Sequence, residues 1–286
     1  RTKAIMAADI FGQSCEVDKL MLIAKKYNLK LITDSAQSPG VKHFQKITGT
    51  ESHVGGYSLN YHKHIHTGEG GILVTNNDEI AEKLQLIRNH GEAVVEDKGT
   101  KNINNVIGHN FRLGEIESAI GIEQFKKLDM LLETRQKAAE ILNKGLSNLN
   151  GLTIPYVEEG NSHAYYIYGM KLDIEYLQVS RRKIIMALEA EGLEGLTNGY
   201  QNIHLLPIYQ KKIAYGSNGF PWNSEICKRE ISYEKGICPV AEKLHSETFL
   251  GLQMCLHNLD EIELDLIIRT FQKVWSNLEN LRDFEK

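Results

Sequence analysis

Lys63 is the residue in this 286-residue sequence whose setting is best suited to covalent chemistry. It follows a strand-like run over residues 57–61 and precedes the glycine-rich turn of residues 67–71, with a histidine on either side. A lysine held among neutral or cationic neighbours can have its ammonium pKa lowered, which frees the amine to form a Schiff base with a carbonyl. A plain surface loop is the alternative interpretation of the same residues.

Asp34 is a second candidate, because of the element that positions it. Residues 20–27 have the pattern of an amphipathic helix, and residues 29–34 follow as a short apolar strand. This alternation predicts a parallel α/β sheet, with Asp34 at a strand's carboxyl end, where such sheets form ligand crevices. The loop of residues 34–40 is therefore a candidate site, although an aspartate before serine and glycine also commonly caps a turn.

The histidines around Lys63 allow a rival interpretation. His62, His64 and His66 alternate, so in an extended strand they would share a face and could bind zinc. No carboxylate or thiol motif nearby supplies an obvious fourth ligand. We therefore predict no metal site.

Three segments together resemble the DegT/DnrJ/EryC1/StrS family of pyridoxal-phosphate-dependent sugar aminotransferases. They are Asp34 with Ala36 and Gln37, then Ser58 and Lys63 before the turn of residues 67–71, and finally the segment of residues 108–121. The resemblance is strong to about residue 135 and weaker after it. It implies an aspartate-aminotransferase-like large domain of the α/β class (PLP fold type I) and a smaller α+β C-terminal domain, over residues 1–135 and 136–286.

The resemblance also implies a role for each matched residue. Lys63 would hold the aldehyde of pyridoxal 5'-phosphate and later move the substrate proton, while Asp34 would pair with the pyridine nitrogen. Ala36 would lie against the ring, on the same strand face as Asp34 if the strand extends that far. Gln37 would hydrogen-bond the ring hydroxyl, and Ser58 would donate to the phosphate.

Two further positions carry expectations about assembly and substrate. In the family, the asparagine matching Asn110 reaches the phosphate from the neighbouring subunit, which implies a homodimer with shared active sites; Asn110 as a simple turn residue is the alternative. His204 matches a family segment near the distal groups of the substrate. A structural histidine is the alternative there.

The implied activity is amino transfer from glutamate or glutamine to a keto group of a nucleotide-linked deoxysugar, in amino-sugar or surface-polysaccharide biosynthesis. One alternative is a related sugar dehydratase, but that branch carries histidine where this sequence has Lys63. Another is a non-catalytic relative or fragment. The segment that precedes the first matched strand in the family, with its phosphate-binding turn and ring-stacking aromatic, is absent here, and we expect an N-terminally truncated large domain.

Composition narrows the class of protein. The net charge of −4 shows no footprint for nucleic acid, and no apolar run reaches the roughly 20 residues that span a membrane. The four cysteines are scattered without a Cys-x-x-Cys pair and are interpreted as reduced thiols. We predict a cytoplasmic enzyme.

The rest of the pattern predicts further elements. They are a buried strand at 71–75, a helix at 79–89 capped by Asn77 and Asp78, a polar loop at 92–105, a largely helical run at 113–149, a strand at 164–172, and helices at 180–192 and 259–281.

Overall fold

A computed structural model describes residues 2–91, 106–227 and 229–282 of the chain. The chain divides into two compact units. The first comprises Arg1–Ile141, Tyr156–Tyr168 and Met254–Asp260, and the second comprises Leu142–Pro155, Gly169–Gln253 and Glu261–Lys286. The domain boundary between residues 135 and 136 stays a prediction, and the polar loop predicted at 92–105 lies outside the described residues.

The first unit is built on a four-stranded sheet. Its strands are β1 (Ala4–Ala8), β2 (Lys30–Asp34), β5 (Val54–Ser58) and β6 (Gly71–Val74), and they lie side by side in the order β1-β2-β5-β6. Strands β1 and β5 both pair with β2 in parallel, whereas β6 pairs with β5 antiparallel. The parallel arrangement predicted around Asp34 is therefore confirmed. A two-stranded hairpin, β3 (Lys42–His43) and β4 (Lys46–Ile47), lies between β2 and β5 in the chain.

The helices of this unit follow the apolar periodicity of the sequence. They are α1 (Val17–Lys26), α2 (Asp78–Arg88), α3 (Glu115–Phe125) and α4 (Leu128–Leu146), the last of which continues into the second unit. The predicted cap is present on α2, where the Asn77 side chain accepts from the backbone N–H of Ile80 at 2.9 Å. Helix α1 buries Val17 and Ala24 against Leu31 of β2, so its apolar face covers the sheet.

The strand predicted as buried at residues 71–75 is instead exposed. It forms β6, in which Ile72 and Leu73 are 46% and 59% exposed. The prediction is wrong because β6 is an edge strand of the sheet. An apolar run alone does not distinguish a covered strand from an exposed edge strand.

The second unit has its own mixed architecture, in agreement with the predicted α+β class. Its sheet has the order β7-β8-β10-β9, with β7 antiparallel to β8 and β9 antiparallel to β10. The strands are β7 (Leu152–Thr153), β8 (Ile167–Leu172), β9 (Leu196–Thr197) and β10 (Phe249–Gln253). The helices are α5 (Ile174–Leu177), α6 (Arg181–Ala190), α7 (Pro207–Gln210), α8 (Pro239–Lys243), α9 (Glu261–Ser276) and α10 (Leu278–Arg282).

A contiguous apolar core supports this second sheet. Its fully buried side chains come from α4, β8, α5, α6, β10 and α9, and they include Leu142, Leu172, Leu177, Ile184, Leu188, Leu250 and Phe271. Among the described residues, no helix combines the length and the apolar character that a membrane crossing requires.

Two histidines lie in the core of the first unit. The ring Nε2 of His64 hydrogen-bonds the carbonyl oxygen of Ala164 at 2.9 Å, and the ring Nδ1 of His163 accepts from the backbone N–H of Tyr165 at 2.7 Å. Burial lowers the pKa of His64 and of His163 to about 4. Both rings are therefore neutral in the folded protein near pH 7, and a carbonyl can only accept, so Nε2 of His64 carries the hydrogen.

We predict that His64 makes folding sensitive to acid. Between pH 6.5 and about 4, His64 is protonated in the unfolded state but neutral in the folded state. The free energy of unfolding is therefore highest above this pH range and decreases as the pH falls through it. Urea unfolding at pH 7 and pH 5 should show that His64→Gln loses less stability than the wild type, by about 2 kcal/mol. The control variant His66→Gln, at an exposed site, should lose as much stability between pH 7 and pH 5 as the wild type does. Equal losses in all three proteins would contradict the prediction.

We also predict that Gly55 in β5 cannot carry a side chain. A Cβ atom there would lie 2.1 Å from the carbonyl oxygen of Gly49 and 2.5 Å from its Cα, and backbone cannot yield as a flexible side chain does. Gly55→Ala should lower the free energy of unfolding by about 1–3 kcal/mol in a urea titration. The matched control is Gly56→Ala, whose Cβ would meet only the Leu73 side chain at 3.2 Å. An equal loss in both variants would refute this account.

Candidate active site

Asp34 lies at the carboxyl edge of the parallel strands. It is the last residue of β2, its carbonyl oxygen accepts from the backbone N–H of Asp9 at 2.9 Å, and its side chain is exposed. The carboxylate Oδ1 accepts from the N–H of Ala36 at 3.1 Å. The strand ends at Asp34, so Ala36 lies in the following turn, and the strand alternation proposed for these two residues does not apply.

Asp9 fixes the loop that follows Asp34. It comes directly after β1 and is 2% exposed, and its carboxylate accepts from Ser35 Oγ at 2.6 Å, Ser38 Oγ at 3.3 Å and the N–H of Cys15 at 2.8 Å. Sequence reasoning missed this residue. The available signal was its position, because Asp9 directly follows an apolar strand and Asp34 is the last residue of one.

Gln37 is buried in the same loop. Its Oε1 accepts from the backbone N–H of Phe11 at 2.6 Å. Phe11 has a φ of 58°, and Gly12 beside it has a φ of 100°. The chain after β1 therefore takes up a left-handed turn that brings a backbone donor to Gln37.

Lys63 lies in a loop whose two ends are joined by backbone hydrogen bonds. The N–H of Leu59 donates to the carbonyl of Gly70 at 2.9 Å, and the carbonyl of Leu59 accepts from the N–H of Thr67 at 3.0 Å. Within the loop, the N–H of Lys63 donates to the carbonyl of Asn60 at 3.0 Å. Ser58, the last residue of β5, is half-buried at the entry to this loop, and its Oγ accepts from the N–H of Asn60 at 3.2 Å.

The Lys63 amine has the electrostatic setting expected of a nucleophile. Burial lowers its pKa, while the charges of Asp34 and of the Cys255 thiolate form act in the opposite direction. The ring of Tyr166 lies beneath Nζ, with 4.6 Å between Nζ and the ring centroid. The structure thus places Lys63 within electrostatic reach of Asp34 and adds Tyr166, which no sequence pattern indicates.

The histidines around Lys63 do not form the shared strand face that zinc binding would need. His62 and His64 lie in turns and bends between β5 and β6, and His64 is buried whereas His66 is exposed. Within the described ranges, no group of three histidine, cysteine, aspartate or glutamate side chains is arranged to hold a metal ion.

Asn110 lies beside the carboxyl end of α2. It forms an antiparallel bridge with Asn89, and the N–H of Phe111 donates to the carbonyl of Arg88 at 2.9 Å. Its own side chain is exposed. The guanidinium of Arg112 donates to Asn89 Oδ1 at 2.5 Å, which also holds the chain just after Asn110.

His204 belongs to the second unit and is paired with a buried glutamate. Its Nε2 lies 2.8 Å from Oε1 of Glu242, which also accepts from the N–H groups of Gly236 at 2.8 Å and Cys238 at 3.2 Å. Burial acts to raise the pKa of the Glu242 carboxyl, but these hydrogen bonds outweigh it and hold the pKa below its usual value. Sequence reasoning missed Glu242, which carries no motif that points to His204.

Comparison with known proteins identifies the family to which this chain is similar. The model of the DegT/DnrJ/EryC1/StrS aminotransferase family matches residues 1–248. An uncharacterized protein of Methanocaldococcus jannaschii is 33% identical over 238 residues, which are 81% of this chain and 61% of that protein. A GDP-perosamine synthase of Caulobacter vibrioides is 32% identical over 210 residues, which are 73% of this chain and 55% of that protein.

A solved structure agrees with the sequence comparisons. The crystal structure of a DegT/DnrJ/EryC1/StrS aminotransferase from Brucella abortus is similar with a TM-score of 0.75 and 29% identity, over 95% of this chain and 64% of that one. The chain thus spans about three fifths of the length of these relatives. The family match covers far more than half of the chain, so this chain belongs to the DegT/DnrJ/EryC1/StrS aminotransferase family.

Proposed function

We propose that the protein is a pyridoxal 5'-phosphate-dependent aminotransferase that moves an amino group from glutamate or glutamine to a keto group of a nucleotide-linked deoxysugar. The observation that carries the proposal is the pairing of a half-buried lysine of lowered pKa with an aspartate at the carboxyl edge of the parallel strands. Family membership supports the reaction class.

The residues at this edge fit the cofactor chemically. When bound, pyridoxal phosphate supplies an aldehyde carbon and an electron-withdrawing ring. Lys63 provides an amine that burial shifts toward its neutral, nucleophilic form. Asp34 provides an exposed carboxylate that can hold a proton on a pyridine nitrogen. Lys63 and Asp34 would therefore supply the groups that the aldehyde and the ring nitrogen of this cofactor need.

Three further residues would orient the cofactor. Ala36 offers a small side chain in the turn after Asp34, so a flat ring can approach closely. Gln37 accepts from Phe11 through Oε1, and its amide group can also donate, which is the role we assign to it toward a ring hydroxyl. Ser58 ends the parallel strand β5, and its hydroxyl can donate to a phosphate. Asn110 is the residue we assign to the phosphate of the neighbouring subunit.

Lys63 would also carry the proton that amino transfer moves. A general base works best when its pKa lies near the operating pH, and desolvation moves the lysine in that direction. The nearby Asp34 charge opposes too large a decrease, because it favours the ammonium form. Burial and the Asp34 charge thus act on the Lys63 pKa in opposite directions, and burial is the larger effect.

The substrate assignment rests on relatives and on the second unit. The GDP-perosamine synthase among the relatives is named for a nucleotide-linked amino sugar. We assign His204 to the distal groups of such a substrate. The Glu242 carboxylate can only accept, so Nε2 of His204 carries a hydrogen, and Nδ1 is the ring nitrogen that we assign to contact with a ligand. A role in polysaccharide biosynthesis, with location in the cytoplasm, completes the proposal.

We further propose that the protein is a homodimer. Helix α3 has no buried residue in the first unit although it is rich in apolar side chains. Ile116, Ile122 and Phe125 are 76%, 61% and 68% exposed. Large exposed apolar side chains on one helix mark an interaction surface, and a second copy of this chain is the partner that a shared site at Asn110 requires.

We predict that Lys63 forms the covalent bond to the cofactor. After incubation with pyridoxal phosphate and reduction with borohydride, peptide mass spectrometry should find the added mass on Lys63. Lys63→Ala should remain unlabelled, and its half-reaction with glutamate should slow by at least about 10²-fold. The exposed-lysine control Lys26→Ala should behave like the wild type. Labelling that persists in Lys63→Ala would overturn the assignment.

We predict that the apolar side chains of α3 hold the dimer together. The double variant Ile116→Glu, Phe125→Glu places two charges in an interface that excludes water, and it should sediment as a monomer under conditions where the wild type sediments as a dimer. The matched control is Leu266→Glu on α9, which changes another exposed apolar residue and should leave the dimer intact. A wild type that sediments as a monomer would exclude the proposed assembly.

A further inference from the structure

The face of the Tyr166 ring is the surface on which the Lys63 amine rests. Nζ lies 4.6 Å from the ring centroid, within the range at which an ammonium group is attracted to the negative face of an aromatic ring. The rings of His62 and His64 flank Tyr166 with centroid separations of 6.2 and 6.1 Å. The half-buried amine therefore lies against the face of one ring, with two histidine rings beside that ring.

The backbone before Tyr166 is held in an unusual conformation. Tyr165 has a φ of 49°, in the left-handed region that side chains other than glycine rarely adopt. Three hydrogen bonds keep it there. The N–H of Tyr165 donates to Nδ1 of His163 at 2.7 Å, the N–H of Ala164 donates to the carbonyl of Gly12 at 2.8 Å, and Nε2 of Gln136 donates to the carbonyl of His163 at 3.1 Å.

His64 ties this segment to the lysine loop. Its buried ring follows Lys63 directly in the chain, and Nε2 donates to the carbonyl of Ala164 at 2.9 Å. One hydrogen bond therefore joins the residue after Lys63 to a residue two positions before Tyr166. Both partners of the contact between Lys63 and Tyr166 are thus anchored through the same buried histidine.

Gly12 makes room for the arrangement. It has a φ of 100°, and a Cβ atom on it would lie 2.9 Å from the backbone nitrogen of Tyr165 and 3.1 Å from the carbonyl oxygen of Gln37. The turn after β1 therefore packs directly between the segment leading to Tyr166 and the loop of Asp34 and Gln37. Strain at Tyr165 persists only because these surroundings determine it.

We propose that Tyr166 is a positioning residue for Lys63, and that its ring face is the site at which the lysine ammonium is held when the amine is not covalently bound. This inference rests on the proposed function, because it assigns a role within the same site. A ring face attracts the cation without a hydrogen-bond acceptor that would compete for its protons. Tyr166 would thus keep the amine close and its protons available for transfer.

Two substitutions separate the ring face from the rest of the side chain. Tyr166→Phe keeps the ring and removes the hydroxyl, while Tyr166→Leu keeps an apolar cover over Lys63 and removes the ring. Competitive labelling of the cofactor-free protein with acetic anhydride, measured against pH by mass spectrometry, gives the pKa of Lys63 in each protein. Apart from Tyr166 itself, both variants leave unchanged the charged or titratable groups that act on Lys63 and on its histidine neighbours, which are Asp34, His62, His64, Glu69, Arg135 and Cys255.

We expect Lys63 to keep its wild-type pKa in Tyr166→Phe and to show a pKa lower by about one in Tyr166→Leu, because only the latter loses the attraction that favours the ammonium form. The half-reaction with glutamate should follow the same order, with kcat falling about tenfold in Tyr166→Leu and KM for glutamate unchanged. An unchanged or raised Lys63 pKa in Tyr166→Leu, or an equal decrease in both variants, would overturn the proposal.

The measurement is independent of the proposed reaction. If the wild type fails to take up pyridoxal phosphate, the proposed function fails, whereas the acetylation experiment still decides the contact between Tyr166 and Lys63. Circular dichroism establishes that each variant is folded. If Tyr166→Leu does not fold, Tyr166→Met provides the ring-free apolar cover, and the same two outcomes apply.

Discussion

The parallel pairing of β1, β2 and β5 is the constraint on which the site depends. Because the three strands run in one direction, their carboxyl ends lie at one edge, and the residues there are Asp9, Asp34 and Ser58. Asp9 turns inward and Asp34 outward. The buried carboxylate holds the loop through Ser35 and Ser38, so that the exposed one has a fixed place. At one edge, the buried Asp9 carboxylate therefore has a structural role, and the exposed Asp34 carboxylate is the one available to a ligand.

Burial of polar groups gives the same site its chemical character. The Lys63 amine is shifted toward neutrality by desolvation, and the neighbouring His64 is neutral for the same reason. His64 donates its ring hydrogen to the Ala164 carbonyl, which stabilises the segment leading to Tyr166. One buried histidine thus supports packing and positions the groups around the lysine. Acid destabilises this arrangement, because a protonated His64 is unfavourable in a buried site.

Local sequence patterns predicted where helices and strands lie more reliably than they predicted which of these elements are buried. The strand ending at Asp34, the cap at Asn77 and the helix after Ser180 follow from periodicity and capping, which are properties of neighbouring residues. The exposure of β6 could not be predicted from the local pattern, because whether a strand is covered depends on the rest of the fold. The helical run at residues 113–149 is two helices, α3 and α4, and only α4 is buried in part.

The sequence by itself determined the family, the parallel strands and the candidates Lys63 and Asp34, because these depend on residue types at fixed spacings. It did not determine the partners of those residues. Asp9, Tyr166 and Glu242 come from positions 25, 103 and 38 residues away from Asp34, Lys63 and His204 along the chain. Such contacts depend on how distant segments pack, which spacing does not encode, and only the tertiary structure decided them.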